Sequence, residues 1–363
     1  MEKKILWADS YGEELIAFYR QSIKNQSYSD EEGDYAKLIL AKMQELGFDE
    51  AHIDSTGNVV GRVGNGPKVI HFDSHMDTVH VDMKGGLGAS VFAAALAKKS
   101  GLLEGKTVYV TGSVCEEYCD GVCLEHFYKE SGIHPDFCVI CEPSDNVITL
   151  GHSGKVQARI KTHGVSAHGS APEKGVNAVY EMAEIITRVD ELNKKLRETK
   201  GGGTVVLSNI SCETASLNAV PSECEIYLDR RLCLGETTDQ VRAEMEQLIA
   251  GKRASWEPGV LHHTSWTGKE LVYNPIHDPW KIEETHPLTL ACSAAYVATF
   301  GVQPDRYDFW DFGTNAVIPV GMGIPTIGFG PGEYKQAHMR DEHCAPEQVK
   351  DACRFYTKVI GLL

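Results

Sequence analysis

The stretch His71 to Gly86, HFDSHMDTVHVDMKGG, gathers histidines, aspartates and a glycine pair directly after an apolar run. Imidazole nitrogen and carboxylate oxygen are the donors that zinc accepts, so the stretch reads as a metal site. Lys68 to Phe72 has the β-branched and aromatic character of a strand, and Gly85-Gly86 followed by LGASVFAAALAKK opens a helix. Ligands of open α/β sheets bind at the carboxyl ends of strands, which directs His75, Asp77 and Asp82 into the functional crevice. Asp82 has a second reading, as the N-cap of the helix that follows.

Two further apolar strands deliver acids in the same way. Thr107 to Ser113 leads to Glu116 and Glu117, and Asp136 to Cys141 leads to Glu142. A last strand, Thr326 to Phe329, precedes the loop that carries His338. Scattered surface acids have no reason to collect at strand ends within one α/β pattern, so the donor set converges. The bland alternative for Glu116-Glu117 is a solvated acidic pair stabilised by a helix dipole. Cys115, Cys119 and Cys123 recur every fourth residue, which suggests either an iron–sulfur or zinc site or simple packing. Packing is favoured, because that repeat puts all three on one helical stripe where cysteine behaves as a small apolar residue.

The positioning elements follow from periodicity. Helices are expected over Leu6 to Lys24 and Asp34 to Leu46, then a strand near Ala51 to Asp54 and a hairpin in STGNVVGRVGNG. After Gly154 the pattern changes. A strand over Lys155 to Thr162, a helix over Asn177 to Arg197, strands Thr204 to Cys212 and Glu223 to Cys233, a helix Thr237 to Ile249 and a strand from about Ala254 to Trp266 give the order β-α-β-β-α-β, a ferredoxin-like insert. From His286 the chain returns to helix–strand alternation.

At 363 residues the chain suggests two domains. Lys and Arg number 35 against 51 Asp and Glu, a net charge of −16, which argues against a nucleic-acid or anionic-membrane partner. No run approaches the ~20 apolar residues of a spanning helix and no signal-type core opens the chain, so a cytoplasmic location is expected. Eleven cysteines without a secretion signal fit reduced thiols.

HMD, DMKGG, CEEYCDG, CEPSD, HGVSAHGS, VPSECEIYLDRR and AHMRDEH occur in this order. In that order they resemble the dinuclear zinc metallopeptidase family of aminoacylases, acetylornithine and succinyl-diaminopimelate deacylases, and glutamate-type carboxypeptidases. The resemblance covers nearly the whole chain. It implies an α/β, three-layer catalytic domain with a mixed sheet (1–154 and 284–363) and an inserted ferredoxin-like α+β dimerisation, or lid, domain (155–283). It also implies two divalent metal ions, zinc first with cobalt or manganese as alternatives. His75 and Glu142 would hold one ion and Glu117 and His338 the other, with Asp82 bridging. Asp77 would stand behind His75, its carboxylate within hydrogen-bonding reach of the imidazole, and Glu116 would be the general base.

By the same resemblance His168 reaches the partner subunit's site and stabilises the oxyanion, implying a homodimer, while Asn218 and Arg231 bind substrate polar groups. Strand alternation selects Arg231 over Arg230, since Tyr227, Asp229 and Arg231 share the polar face. The implied reaction is cleavage of the amide of an N-acyl amino acid or short peptide by a metal-bridging hydroxide. A metal-poor relative that binds a small ligand or partner without turnover is the alternative, and a cysteine hydrolase is a third. Two departures from the family stand out. Only Thr78 to Val81 separate Asp77 from Asp82, where relatives have a longer excursion, although five residue steps still reach ~17 Å. Asn315 stands where relatives often carry Asp.

Overall fold

A computed structural model describes residues 7–78, 81–336 and 339–363. The chain divides into two compact units: Met1–Gly151 with His262–Val272 and Lys281–Leu363, and His152–Leu261 with Tyr273–Trp280. No helix among the described residues is long and apolar enough to cross a membrane.

The first unit is built on a mixed sheet. Its strands are β1 (Glu50–Ile53), β2 (Val59–Gly64), β3 (Lys68–His75), β4 (Lys106–Ser113), β5 (Phe137–Ile140) and β6 (Thr149–His152). They run in the order β1-β2-β4-β3-β5, then Thr326–Gly328, then β6. β3 is parallel to both β4 and β5, while β1, β2 and β4 pair antiparallel. Hydrophobic alternation makes the layers. Ile70, Phe72, Ser74 and Met76 lie on one face of β3 and its extension, where the small-residue helix α3 (Lys84–Lys99) packs and the terminal helix Pro346–Leu362 covers it. On the opposite face Val60 of β2 and Tyr109 of β4 meet Leu124, Phe127 and Tyr128 of the helix Val122–Ser131. Helices on both sides of the sheet give the expected three-layer α/β arrangement.

The second face of β3 carries a polar stripe. His71, Asp73 and His75 are two residues apart and fully buried, so each side chain needs a partner. His71 contacts Tyr128 Oη through Nδ1 at 2.6 Å and Thr111 Oγ1 through Nε2 at 2.9 Å. Desolvation pushes its pKa down to about 4. The unfolded chain, with an ordinary histidine near 6.5, therefore takes up the proton first as pH falls. Stability is full above pH 6.5 and declines toward pH 4, by on the order of 3 kcal/mol from this residue. Chemical unfolding of wild type and His71→Gln across that range checks this, and the variant is expected to show the shallower decline. Equal slopes would contradict it.

The second unit has the ferredoxin-like order. Strands β7 (Gly154–His163), β8 (Thr204–Glu213), β9 (Glu223–Leu232) and β10 (Ala254–Pro258) form an antiparallel sheet arranged β10-β7-β9-β8. The helices Ala178–Glu198 and Thr238–Ile249 bury Met182, Ile185, Val241 and Met245 against Val156, Ala158 and Ile160. Asn177 caps the first of them by accepting from Val179 N, and Thr237 with Gln240 forms a capping box on the second.

The last strand of the insert differs from expectation. It stops at Pro258, which has no amide proton to donate, and a separate hairpin, Leu261–Thr264 with Glu270–Tyr273, follows. From His262 to Val272 this hairpin belongs to the first unit and not to an insert spanning 155–283. Its tip explains why: Trp266 Nε1 donates to Gly57 O at 3.2 Å and Thr267 Oγ1 to Ser55 O at 2.8 Å. Trp266 lies so close over Gly33 and Gly57 that an added Cβ would come within 2.9 and 2.3 Å of the indole.

Candidate metal centre

His75 is the last residue of β3, and its ring is oriented by the chain that leaves the strand. Nδ1 lies 2.6 Å from the backbone carbonyl of Asp77. A carbonyl can only accept, so Nδ1 carries a proton and Nε2 is the ring atom that a cation would take in exchange for a proton. Nε2 faces Glu142 Oε1 at 3.5 Å. Glu142 follows β5, two residues beyond Ile140, and is buried.

Asp77 acts differently from the expected carboxylate–imidazole bond. Its nearest carboxylate oxygen is 3.7 Å from His75 Nδ1. The carboxylate instead caps the short helix Glu116–Cys119: Oδ1 accepts from Glu116 N at 3.0 Å, and Oδ2 from Glu117 N at 3.0 Å and Ser29 Oγ at 2.7 Å. Asp77 thus serves β3 through its backbone and the segment after β4 through its side chain.

Donor atoms of His75, Glu116 and Glu142 all lie within 4.8 Å of one another. Glu116 is 7 % exposed, which does not fit a solvated acidic pair. Burial, then Glu142, Asp120 and Glu117, hold its pKa well above the usual carboxylate range against the opposing pull of His75. Asp82 is equally buried, and desolvation followed by Glu142, Glu117 and Glu342 raises it as well. His75 shows the converse: burial opposes its charge, yet Glu142, Glu116 and Asp77 hold it well above an ordinary histidine.

Asp82 is not the helix cap. Met83 occupies that position and makes no side-chain cap, while Asp82 Oδ1 is buried with no hydrogen-bond partner among the described residues. An orphaned carboxylate oxygen next to a cluster of acids and one imidazole is the donor chemistry a divalent cation requires. The residues present therefore fit a metal. The short link to Asp82 is held where it is described: Thr78 N donates to Ser27 O at 2.8 Å and Val81 N to Glu342 Oε2 at 3.3 Å. His338 lies outside the described residues.

Asn315 has a structural explanation. Asp73, two residues before His75, receives Asn315 Nδ2 at 2.8 Å together with the hydroxyls of Thr111 and Ser113. Asn315 Oδ1 accepts from Gly121 N at 2.6 Å. An aspartate at 315 would set a second carboxylate against Asp73, whereas the amide donates to one side and accepts from the other.

The three cysteines do not share one helical stripe, because the helix breaks at Asp120-Gly121, where Gly121 adopts φ 77°. All three are nonetheless buried free thiols. None of them joins the group of donors around His75.

In the second unit His168 and Asn218 come together. Gly169 N donates to Asn218 O at 2.6 Å, and His168 pairs with Ala219. Arg231 lies at the far end of β9, eight residues beyond Glu223 and so about 26 Å along the strand. It is engaged by Asp229 at 2.8 and 2.9 Å. The insert therefore does not assemble these three residues into a single cluster.

Sequence reasoning missed Ser29, Asp30 and Glu32. They lie in a polar connection between two helices, and nothing in their spacing distinguishes them from a solvated loop. Glu32 is fully buried and accepts from Cys115 N at 2.9 Å. Burial, with Asp77 nearby, pushes its pKa up to about 7.

A buried imidazole–carboxylate centre thus lies at the strand ends of a three-layer α/β unit that a ferredoxin-like unit interrupts, an arrangement suited to holding a divalent metal. Comparison with known proteins narrows this. Residues 150–257 match the peptidase dimerisation domain of the M20 family. The uncharacterized protein YgeY of Escherichia coli (strain K12) is 36% identical over 383 residues, covering 97% of this chain and 95% of that protein. An acetylornithine deacetylase of Vibrio campbellii is 26% identical over 366 residues, 91% of each chain.

Among solved structures, the aminopeptidase PepT of Bacillus cereus superposes with a TM-score of 0.73 at 20% identity, covering 97% of this chain and 98% of that one. The YXEP protein of Bacillus subtilis, a dinuclear metal-binding peptidase of the M20 family, gives 0.67 at 16% identity over 98% of both chains. The chain belongs to the M20 family of peptidases and deacetylases.

Proposed function

We propose that the protein hydrolyses the amide or peptide bond of an N-acyl amino acid or short peptide, with two divalent ions, zinc first and cobalt or manganese as alternatives. The observation that carries this reading is the buried convergence of His75, Glu116 and Glu142 within 4.8 Å, with the unpartnered Asp82 oxygen in the same electrostatic neighbourhood. His75 and Glu142 would hold one ion, Glu117 and His338 the other, and Asp82 both. Bound there, the ions would polarise the scissile carbonyl and make water more acidic.

The remaining chemistry belongs to the chain. Glu116 takes the proton of the attacking water and returns it to the leaving amine. Asp77 holds the backbone of Glu116 and Glu117 still while that proton moves.

His168 is prepared as an oxyanion donor. Ser170 N donates to its Nδ1 at 3.1 Å, which leaves the proton on Nε2. Asn218 joins it at one end of β9, and Arg231 at the other end pairs with a substrate carboxylate through its fork. The separation of these groups along one strand favours a homodimer in which the insert of one protomer completes the site of the other.

The test is kcat/KM for a panel of N-acyl amino acids and dipeptides, measured on protein loaded in turn with zinc, cobalt and manganese. Turnover of at least one class is expected. Tight binding of panel members with no cleavage under any metal would favour a binding protein and overturn the hydrolase reading.

A further inference from the structure

Glu116 and Glu117 depend on a turn whose first residue is in an unfavourable conformation. Cys115 has φ 56° and ψ 28°, the left-handed region that a side chain with a Cβ rarely adopts. Its amide and the next two have no helical carbonyl before them. All three are bound by buried carboxylates: Cys115 N by Glu32 Oε1 at 2.9 Å, Glu116 N by Asp77 Oδ1 at 3.0 Å and Glu117 N by Asp77 Oδ2 at 3.0 Å. The backbone there is fixed amide by amide.

The segment that supplies Glu32 also grips the other half of the centre. Ser27 Oγ donates to Met76 O at 2.7 Å, Ser29 Oγ to Asp77 Oδ2 at 2.7 Å, and Cys115 Sγ to Asp30 Oδ1 at 3.3 Å. Residues 27–32 therefore tie the end of β3 to the turn after β4. Glu32 is itself held at the start of the helix Gly33–Glu45, where its carbonyl accepts from Ala36 N at 2.8 Å. Its second oxygen, Oε2, is buried with no partner among the described residues. A buried acid with an oxygen left unpartnered costs stability, and backbone amides of Cys115, Glu32 and Asp30 offset part of that cost.

We propose that Glu32 is a positioning residue for the hydrolytic centre: by accepting from Cys115 N it fixes the turn that carries Glu117 and brings Glu116 to His75 and Glu142. The inference rests on the metallohydrolase reading and deepens it. Glu32 is not among the proposed metal donors, and it acts on the centre through its hydrogen bond from Cys115 N. Burial makes glutamine a close mimic of the protonated acid, since an amide oxygen can accept from the same N–H. Aspartate keeps the carboxyl but is one methylene too short to reach it.

The full chain is compared as wild type, Glu32→Gln, Glu32→Asp and Glu32→Ala. Two readouts are taken: kcat and KM on a cleaved N-acyl amino acid, and titration of metal-free protein with cobalt(II) followed by its visible absorption. Glu32→Gln is expected to stay within about twofold of wild type in both. Glu32→Asp and Glu32→Ala should lose about 10–100-fold in kcat or cobalt affinity, with KM nearly unchanged.

Wild-type kcat and cobalt spectrum in Glu32→Asp would overturn the assignment, as would equal losses in Glu32→Gln and Glu32→Asp. Should Glu32→Ala not fold, the Gln and Asp pair still decides. If the wild type cleaves nothing, the hydrolase reading fails, while the cobalt titration still reports whether Glu32 shapes the centre.

Discussion

Glu116→Ala is expected to lower kcat by about 10²–10⁴-fold, the range general acid–base catalysis contributes, while the protein keeps its metal. Glu116 is buried within 4.8 Å of His75 and Glu142, a position that would also allow it to bind metal. In the proposed division of roles His75, Glu142, Asp82, Glu117 and His338 hold the ions, and removing Glu116 deletes the proton carrier while leaving those donors. Elemental analysis beside steady-state kinetics checks both halves. Loss of metal together with activity would reassign Glu116 as a ligand, and wild-type turnover would remove it from the reaction.

Asp77→Ala carries the second large effect. The carboxylate is fully buried and accepts from Glu116 N, Glu117 N and Ser29 Oγ at 3.0, 3.0 and 2.7 Å. Alanine leaves those donors without acceptors, at about 1–3 kcal/mol for each buried group that water does not reach. We therefore expect a loss of about 3 kcal/mol or more in unfolding free energy, together with loss of turnover. Ser29→Ala removes only one donor and should cost about 1 kcal/mol. Calorimetry of the two variants separates them, and equal transitions would contradict the capping role.

Much of this centre is legible in the sequence, because strand ends follow from local pattern. KVIHF, TVYVTGS and DFCVIC each announce a buried strand, and the acids and imidazole that follow fall where an α/β sheet places ligands. Alternation along Glu223–Leu232 also separates Arg231 from the buried Arg230. What escaped depends on contacts between distant segments. Glu32 meets Cys115 across 83 positions and Asn315 meets Asp73 across 242, and no periodicity encodes either pairing. The hairpin at 262–272 escaped because its allegiance is decided by where Trp266 and Thr267 anchor, not by the composition of its strands. Asp77 shows the limit at a single residue. Its spacing from His75 suggested a carboxylate–imidazole bond, but the backbone carbonyl takes that bond and frees the side chain for the neighbouring turn.

The central claim is that this cluster hydrolyses amides only when it holds divalent metal. The most direct measurement is the rate of N-acyl amino acid cleavage as zinc or cobalt is added in fractions to chelator-treated protein, with His75→Ala in parallel. The rate should rise from the metal-free baseline and level off at about two equivalents for wild type, and stay at baseline for His75→Ala. A rate that is independent of added metal, or equal in His75→Ala, would contradict the account.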